Sequence, residues 1–199
     1  IALWASGSLD PQMGGEGVKP YQPGGLWSAL MPPASNTKNY VQDKGTKLYR
    51  RSLYVYWKRT SPHPMMTLFD APSRESSCVR RSRTNTSLQS LGLLNEVQRV
   101  ELSRMLAERL LREADNETKR LDLLFKLLAS RKPTARERAV CTKLLQSLKE
   151  RYATAENDAL ALLSTGDAPR DEKLNPGELA AWSQLAITVL ASDVALLLY

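Results

Sequence analysis

Apolar positions fall at helical intervals through the second half of this 199-residue chain. Leu88, Leu91 and Leu94 follow Thr86 and Gln89, whose spacing is that of a capping box. Leu102, Met105, Leu106 and Leu110 come next, and Leu121, Leu124, Phe125 and Leu128 repeat at i, i+3, i+4 and i+7. Thr134 and Glu137, directly after Pro133, form a second box ahead of Cys141, Leu144, Leu145, Leu148 and Tyr152, which share one face. Asn175-Pro176-Gly177-Glu178 sets a cap, a first-turn proline and an acid before Leu179 and Trp182. Thr165 to Asp171 is polar and turn-rich. Apolar stripes of this kind need facing stripes, so residues 87–199 are expected to form a body of packed amphipathic helices.

The first half lacks that rhythm. Gly and Pro punctuate residues 1 to about 47, as in Met13-Gly14-Gly15-Glu16-Gly17 and Lys19-Pro20-Tyr21-Gln22-Pro23-Gly24-Gly25, which leaves no room for a long regular element. Trp4, Tyr21, Trp27 and Tyr40 are too many aromatics for a solvated linker, so an ordered arm is expected. From Leu48 to Thr60, a stripe of Leu53, Tyr56 and Trp57 predicts a short amphipathic helix near 48–60, while Tyr54-Val55-Tyr56-Trp57 keeps a strand open. Ser61-Pro62-His63-Pro64 ends it, and residues 65–86 read as irregular. The expected fold class is mainly α: a single domain over 1–199, with an irregular Gly/Pro-rich amino-terminal arm over 1–86 and a helical body over 87–199.

Composition bounds the classes. Hydrophobic residues at 42% and charged residues at 25% are ordinary for a folded protein. The Leu-rich close from Val194 to Tyr199 is too short to span a bilayer. Residues 1–95 hold 12 Lys and Arg against 5 Asp and Glu, whereas residues 96–199 hold 16 against 16, so the whole net charge of +7 lies in the first half. Local excess favours an anionic partner more than the overall pI does. Cys78 and Cys141 have no paired spacing and bridge only if the fold brings their α-carbons within about 7 Å. No phosphate-binding loop, nucleophile elbow, zinc cluster or other metal-ligand pattern is present.

The densest chemistry runs from Phe69 to Asn95. It includes Arg74, Arg80, Arg81 and Arg83, the carboxylates Asp70 and Glu75, the thiol of Cys78 and several hydroxyls, with Lys58 and Arg59 just upstream. Guanidinium forks beside exposed amides can hold carboxylate, sulfate or phosphate, so these cations are candidates for contacting an anion or a neighbouring domain. A structural reading is stronger: Asp70 and Glu75 satisfy some arginines, and the others tie carbonyls of an irregular loop. His63, between prolines, reads as structural rather than as a base or haem ligand. Arginines around Cys78 favour its thiolate, yet a buried or disulfide-bonded state is expected. Cys141 reads as a core residue, and Trp57 as packed against a cation rather than a sugar or base.

Asp70-Ala71-Pro72-Ser73-Arg74-Glu75, Cys78, Arg80-Arg81-Ser82-Arg83-Thr84-Asn85-Thr86, Tyr49-Arg50-Arg51-Ser52-Leu53-Tyr54 and Trp57-Lys58-Arg59-Thr60 resemble a known family. It is the planctomycete-type domain of unknown function at the carboxy-terminal end of large proteins that often carry a planctomycete cytochrome C domain. Val18-Lys19-Pro20-Tyr21-Gln22-Pro23, Tyr40-Val41-Gln42-Asp43-Lys44-Gly45 and Leu174 to Trp182 extend the similarity over nearly the whole chain. The resemblance implies a carboxy-terminal piece of an exported bacterial protein, at the periplasm or cell surface, associated with polysaccharide or redox metabolism. It implies partners among the amino-terminal domains of the same protein and acidic polysaccharide. Haem c would belong to those other domains, because no C-x-x-C-H occurs here and no cofactor is expected in this piece. The leading expectation is thus an accessory or structural domain with an Arg-rich contact face. The alternative is part of an enzyme completed by the amino-terminal region, with Asp70, Glu75, Arg74 and Arg81 as polar contributors. Nucleic-acid binding ranks last, because no recognition module accompanies the charge.

Overall fold

A computed structural model describes residues 1–196; Leu197 to Tyr199, the end of the Leu-rich close, lie outside the described residues. The chain is mainly α, and no strand forms among the described residues. The helices are α1 (Ala2–Ala5), α2 (Leu26–Leu30), α3 (Pro64–Leu68), α4 (Ser87–Asn95), α5 (Val97–Glu113), α6 (Glu117–Ala129), α7 (Ala135–Thr154), α8 (Glu156–Leu163), α9 (Pro176–Leu190) and α10 (Asp193–Leu196). The chain divides into two compact units, one of Ile1–Ser8 with Leu93–Tyr199 and the other of Leu9–Gly92.

In the helical unit, α9 is the central element. Leu179, Ala180, Ala181, Trp182, Leu185, Ala186, Val189 and Leu190 are buried, so it is apolar on nearly every side, as a helix enclosed by others must be. It packs against α5, α7 and α8. Leu106 and Leu110 of α5, Leu124 and Phe125 of α6, and Cys141 and Leu145 of α7 complete the core. Each large side chain buried in this way contributes about 1.5–3 kcal/mol. The boundaries follow the capping signals. Thr134 and Glu137 form a reciprocal capping box on α7, and Asn175 accepts from the Glu178 amide at the start of α9. α5 starts on a signal that the apolar pattern does not carry: the Glu96 carboxylate accepts from the amides of Gln98 and Arg99. Ile1 to Ser8, part of the expected arm, fold with the helical unit: α1 packs against α5 and α6, and Arg109 donates to the Ala5 carbonyl at 3.0 Å.

Unit Leu9–Gly92 has its own small core of Val18, Tyr21, Trp27, Leu48 and Tyr49. The helix expected near 48–60 does not form. Two 3-10 turns, Gly45–Tyr49 and Ser52–Tyr54, stand there instead. Beyond them the backbone is extended: Tyr54 O accepts from Val18 N and Tyr56 N donates to Val18 O, both at 2.8 Å. The amides of Tyr54 and Val55 still close the second turn on Arg51 O and Ser52 O, but the β-branched and aromatic run then pairs with another segment instead of continuing as a helix. Leu53, on the expected inner stripe, is exposed, while Arg50 and Lys58 are buried. Arg50 explains the inversion. Its guanidinium donates to the carbonyls of Gln12, Gly14 and Glu16 at 3.1, 2.6 and 3.2 Å and lies 3.9 Å over the Tyr54 ring. A Gly-rich turn has few internal backbone bonds, and a planar fork can satisfy several of its carbonyls at once. One helix, α3, also forms inside the stretch expected to be irregular, started by Pro64 in its first turn.

Candidate functional site

The candidate segment begins where α3 ends. Asp70 has φ of 54° and turns the chain out of the helix. Its Oδ2 accepts from the amide and hydroxyl of Thr84 at 2.9 and 2.7 Å, so one carboxylate closes both ends of the 70–84 loop. Gln89, buried on α4, fixes that closure: its Nε2 donates to Thr84 Oγ1 and to the Leu68 carbonyl, both at 2.9 Å. Its Oε1 accepts from Thr86 N while Thr86 Oγ1 accepts from Gln89 N, which completes the expected capping box.

A second tie holds the middle of the loop. Arg59 and Glu75 meet as two parallel charge-assisted bonds of 2.7 and 2.6 Å. Arg74, with φ of 64°, places its guanidinium 4.9 Å from the Trp57 ring centre. Both contacts are largely exposed, so they fix geometry more than they stabilise the fold.

The candidate cations thus have different surroundings. Lys58 is withdrawn into the unit: Nζ donates to the Thr37 carbonyl at 2.6 Å and stands 4.0 Å over Trp27. Arg59 belongs to Glu75 and Arg74 to Trp57. Arg81 reaches the Phe69 carbonyl at 3.4 Å but is otherwise exposed. Arg80 and Arg83 are exposed and have no bonded partner among the described residues. The loop gathers Arg59, Arg74, Glu75 and Trp57 around its middle, and it leaves Arg80, Arg81 and Arg83 along its outer run.

Cys78 is exposed and free, against the expectation of a buried or bridged thiol. The loop around it is held by side-chain ties at Asp70, Arg74 and Glu75 and has no apolar packing to enclose a thiol. Cys141 is free and buried, and burial pushes its thiol pKa up. His63 occupies the N-cap position of α3 without a side-chain cap bond, and its Nε2 lies 2.8 Å from the Tyr21 carbonyl, a structural role. Among the described residues no group of His, Cys, Asp or Glu is gathered to hold a metal ion. Nor is any helix there long and apolar enough to cross a membrane.

Sequence reasoning missed a polar network in the helical unit. Glu101, Arg104 and Glu108 are all buried on one side of α5. Arg104 donates to Glu108 at 2.9 Å and to the carbonyls of Ala168 and Pro169 at 2.7 and 3.2 Å. Glu101 accepts from Ala168 N at 2.7 Å, and Glu108 from Asp171 N at 3.2 Å. Arg112 closes the circuit on the Asp171 carboxylate at 2.8 Å. The i, i+3, i+7, i+11 charges were visible, but such a run is ordinarily a solvated face. Here it faces the backbone of a loop that has no regular bonds of its own.

A family model described as PSD1: Protein of unknown function (DUF1553) matches residues 1–145. No curated protein and no solved structure matches the chain.

Proposed function

The chain belongs to the PSD1 family, a family of proteins of unknown function, and from that premise we propose that it is an accessory domain of an exported, cytochrome-C-linked bacterial multidomain protein. Its basic unit would contact an anionic partner in polysaccharide or redox metabolism, either an acidic polysaccharide or an amino-terminal domain of the same protein. One observation carries this reading. Unit Leu9–Gly92 holds 12 Lys and Arg against 5 Asp and Glu, and Arg59–Glu75 is its one ion pair among the described residues. The other unit is balanced at 16 against 16 and is laced with ion pairs such as Arg104–Glu108, Arg120–Glu178 and Arg131–Glu137. A surface whose charge is not answered internally attracts counter-charge from outside. Asp70 and Glu75 both hold the loop in place, which favours contact over catalysis for this segment.

The test is binding of a sulfated dextran and a polyuronate to the protein across a salt series. Affinity should fall steeply as salt rises, and should drop about tenfold or more in an Arg80→Gln, Arg81→Gln, Arg83→Gln variant. Absence of binding to both polymers at low salt, together with no effect of the variant on association with the rest of the protein, overturns the reading.

A further inference from the structure

Helix α4 carries leucines on two faces. Gln89 and Leu93 are buried, and Gly92 lies so close to α3 that a β-carbon there would stand 2.5 Å from Leu68 Cδ2. Leu88 and Leu91, one turn apart on another face, are 62% and 58% exposed. An isolated exposed leucine is commonplace, whereas two that stand one turn apart on one helix form a continuous apolar strip. The position of this face matters. Thr84 is bonded to Gln89 on the first turn of α4, so the outer run of the loop ends against the helix, with Arg83 one residue from the anchor. Arg80, Arg81 and Arg83 thereby lead directly into Leu88 and Leu91, and Val79 beside them is fully exposed.

We propose that Arg80, Arg81, Arg83, Leu88 and Leu91 form a docking surface for an acidic, amphipathic protein segment. This rests on the reading that the basic unit contacts an anionic partner, and it names the partner's class. Charge sets one half of the complementarity: the two acids nearest in sequence, Asp70 and Glu75, are bound to Thr84 and Arg59 and do not answer the outer arginines. The leucines set the other half. A glycan chain offers no apolar face that would bury them, whereas one stripe of an amphipathic helix does. A lipid surface fits less well, because a membrane-lying helix carries Lys or Arg on its own polar face and α4 (Ser87–Asn95) has none.

The probe is a synthetic helix with leucine on one face and glutamate on the other, titrated against the protein by calorimetry. Binding should weaken about tenfold or more in Leu88→Ser, Leu91→Ser, and as much in the triple arginine variant. Both leucines are exposed, so the serine variant should keep the parent circular dichroism and melting temperature; the arginine variant tests the same surface without touching the helix. Failure of the peptide to bind, or equal binding by the serine variant, overturns the docking surface. If sulfated dextran still binds while the peptide does not, the broader anionic reading survives and this one falls. Leucine-dependent binding to phosphatidylglycerol vesicles in place of the peptide would also overturn it and assign the surface to a membrane.

Discussion

The carboxylate of Glu101 stands where a β-carbon on residue 166 would have to be: an alanine at Gly166 would meet Oε1 at 2.3 Å. Gly166 also has φ of 92°, which L side chains seldom adopt. The acid can therefore reach the Ala168 amide only because residue 166 has no side chain.

Gly166→Ala should accordingly cost about 2–4 kcal/mol in chemical denaturation, from backbone strain and from displacement of a buried carboxylate. Adding Glu101→Ala should recover part of that loss, a coupling that a double-mutant cycle resolves. A loss within about 0.5 kcal/mol would show that the loop has another way to settle.

Arg104→Met removes the fork from the Ala168 and Pro169 carbonyls and leaves Glu108 buried with weaker compensation. Breaking a buried pair from one side costs about 3–5 kcal/mol. Arg104→Met with Glu108→Leu should be milder than the single change, since no carboxylate is then stranded. Equal losses for the two would mean that the carbonyl contacts alone account for the effect.

Glu137 ties Arg131 and the start of α7, and the Arg131 hydrogen bond, followed by those from Thr134, brings its pKa down to about 2. The unfolded value is near 4.3, so this contribution is fully present above the unfolded pKa and is lost as pH falls toward 2. The stability gap between the parent and Glu137→Gln should be constant near neutrality and close between about pH 4.5 and 2. A gap that persists at pH 2 would point to packing instead of charge.

Arg50→Lys keeps the charge and loses the fork. A lysine cannot hold the Gln12, Gly14 and Glu16 carbonyls together, so amide exchange at Asp10, Gly14 and Val18 should quicken about tenfold while exchange in α9 stays unchanged. Uniform acceleration across both units would show that the clamp supports global folding and not one turn.

Thiol labelling separates the two cysteines. In the folded protein a maleimide should modify Cys78 and spare Cys141, which reacts only after unfolding. Burial and the raised thiol pKa of Cys141 act in the same direction.

The helical half was legible because its information is local. Thr134 with Glu137, and Asn175 with Glu178, are complete signals within four residues, and the structure uses both. What escaped depends on partners distant in sequence. The Tyr54 carbonyl and the Tyr56 amide bond to Val18, so no window around residue 55 could tell that the turn there gives way to an extended pairing. Arg50 reads as a surface cation until the Gly-rich turn it holds is known. Glu101, Arg104 and Glu108 likewise read as a wet face, because the loop they bind lies more than sixty residues away. The composition of the candidate segment predicts pairing of Asp70 and Glu75 with its own arginines; Asp70 instead holds Thr84, and Glu75 takes Arg59 from outside the loop. Which arginine takes which tie was set by geometry that no spacing rule encodes.

The unequal distribution of charge also governs how the two halves respond to ionic strength. Like charges crowded into Leu9–Gly92 repel one another, so added electrolyte should relax that unit toward greater stability. The other half relies on attraction between opposite charges and should lose stability in the same medium. One change of solvent thus pulls a single polypeptide in two directions, and a melting curve that splits as the electrolyte rises is the signature to expect.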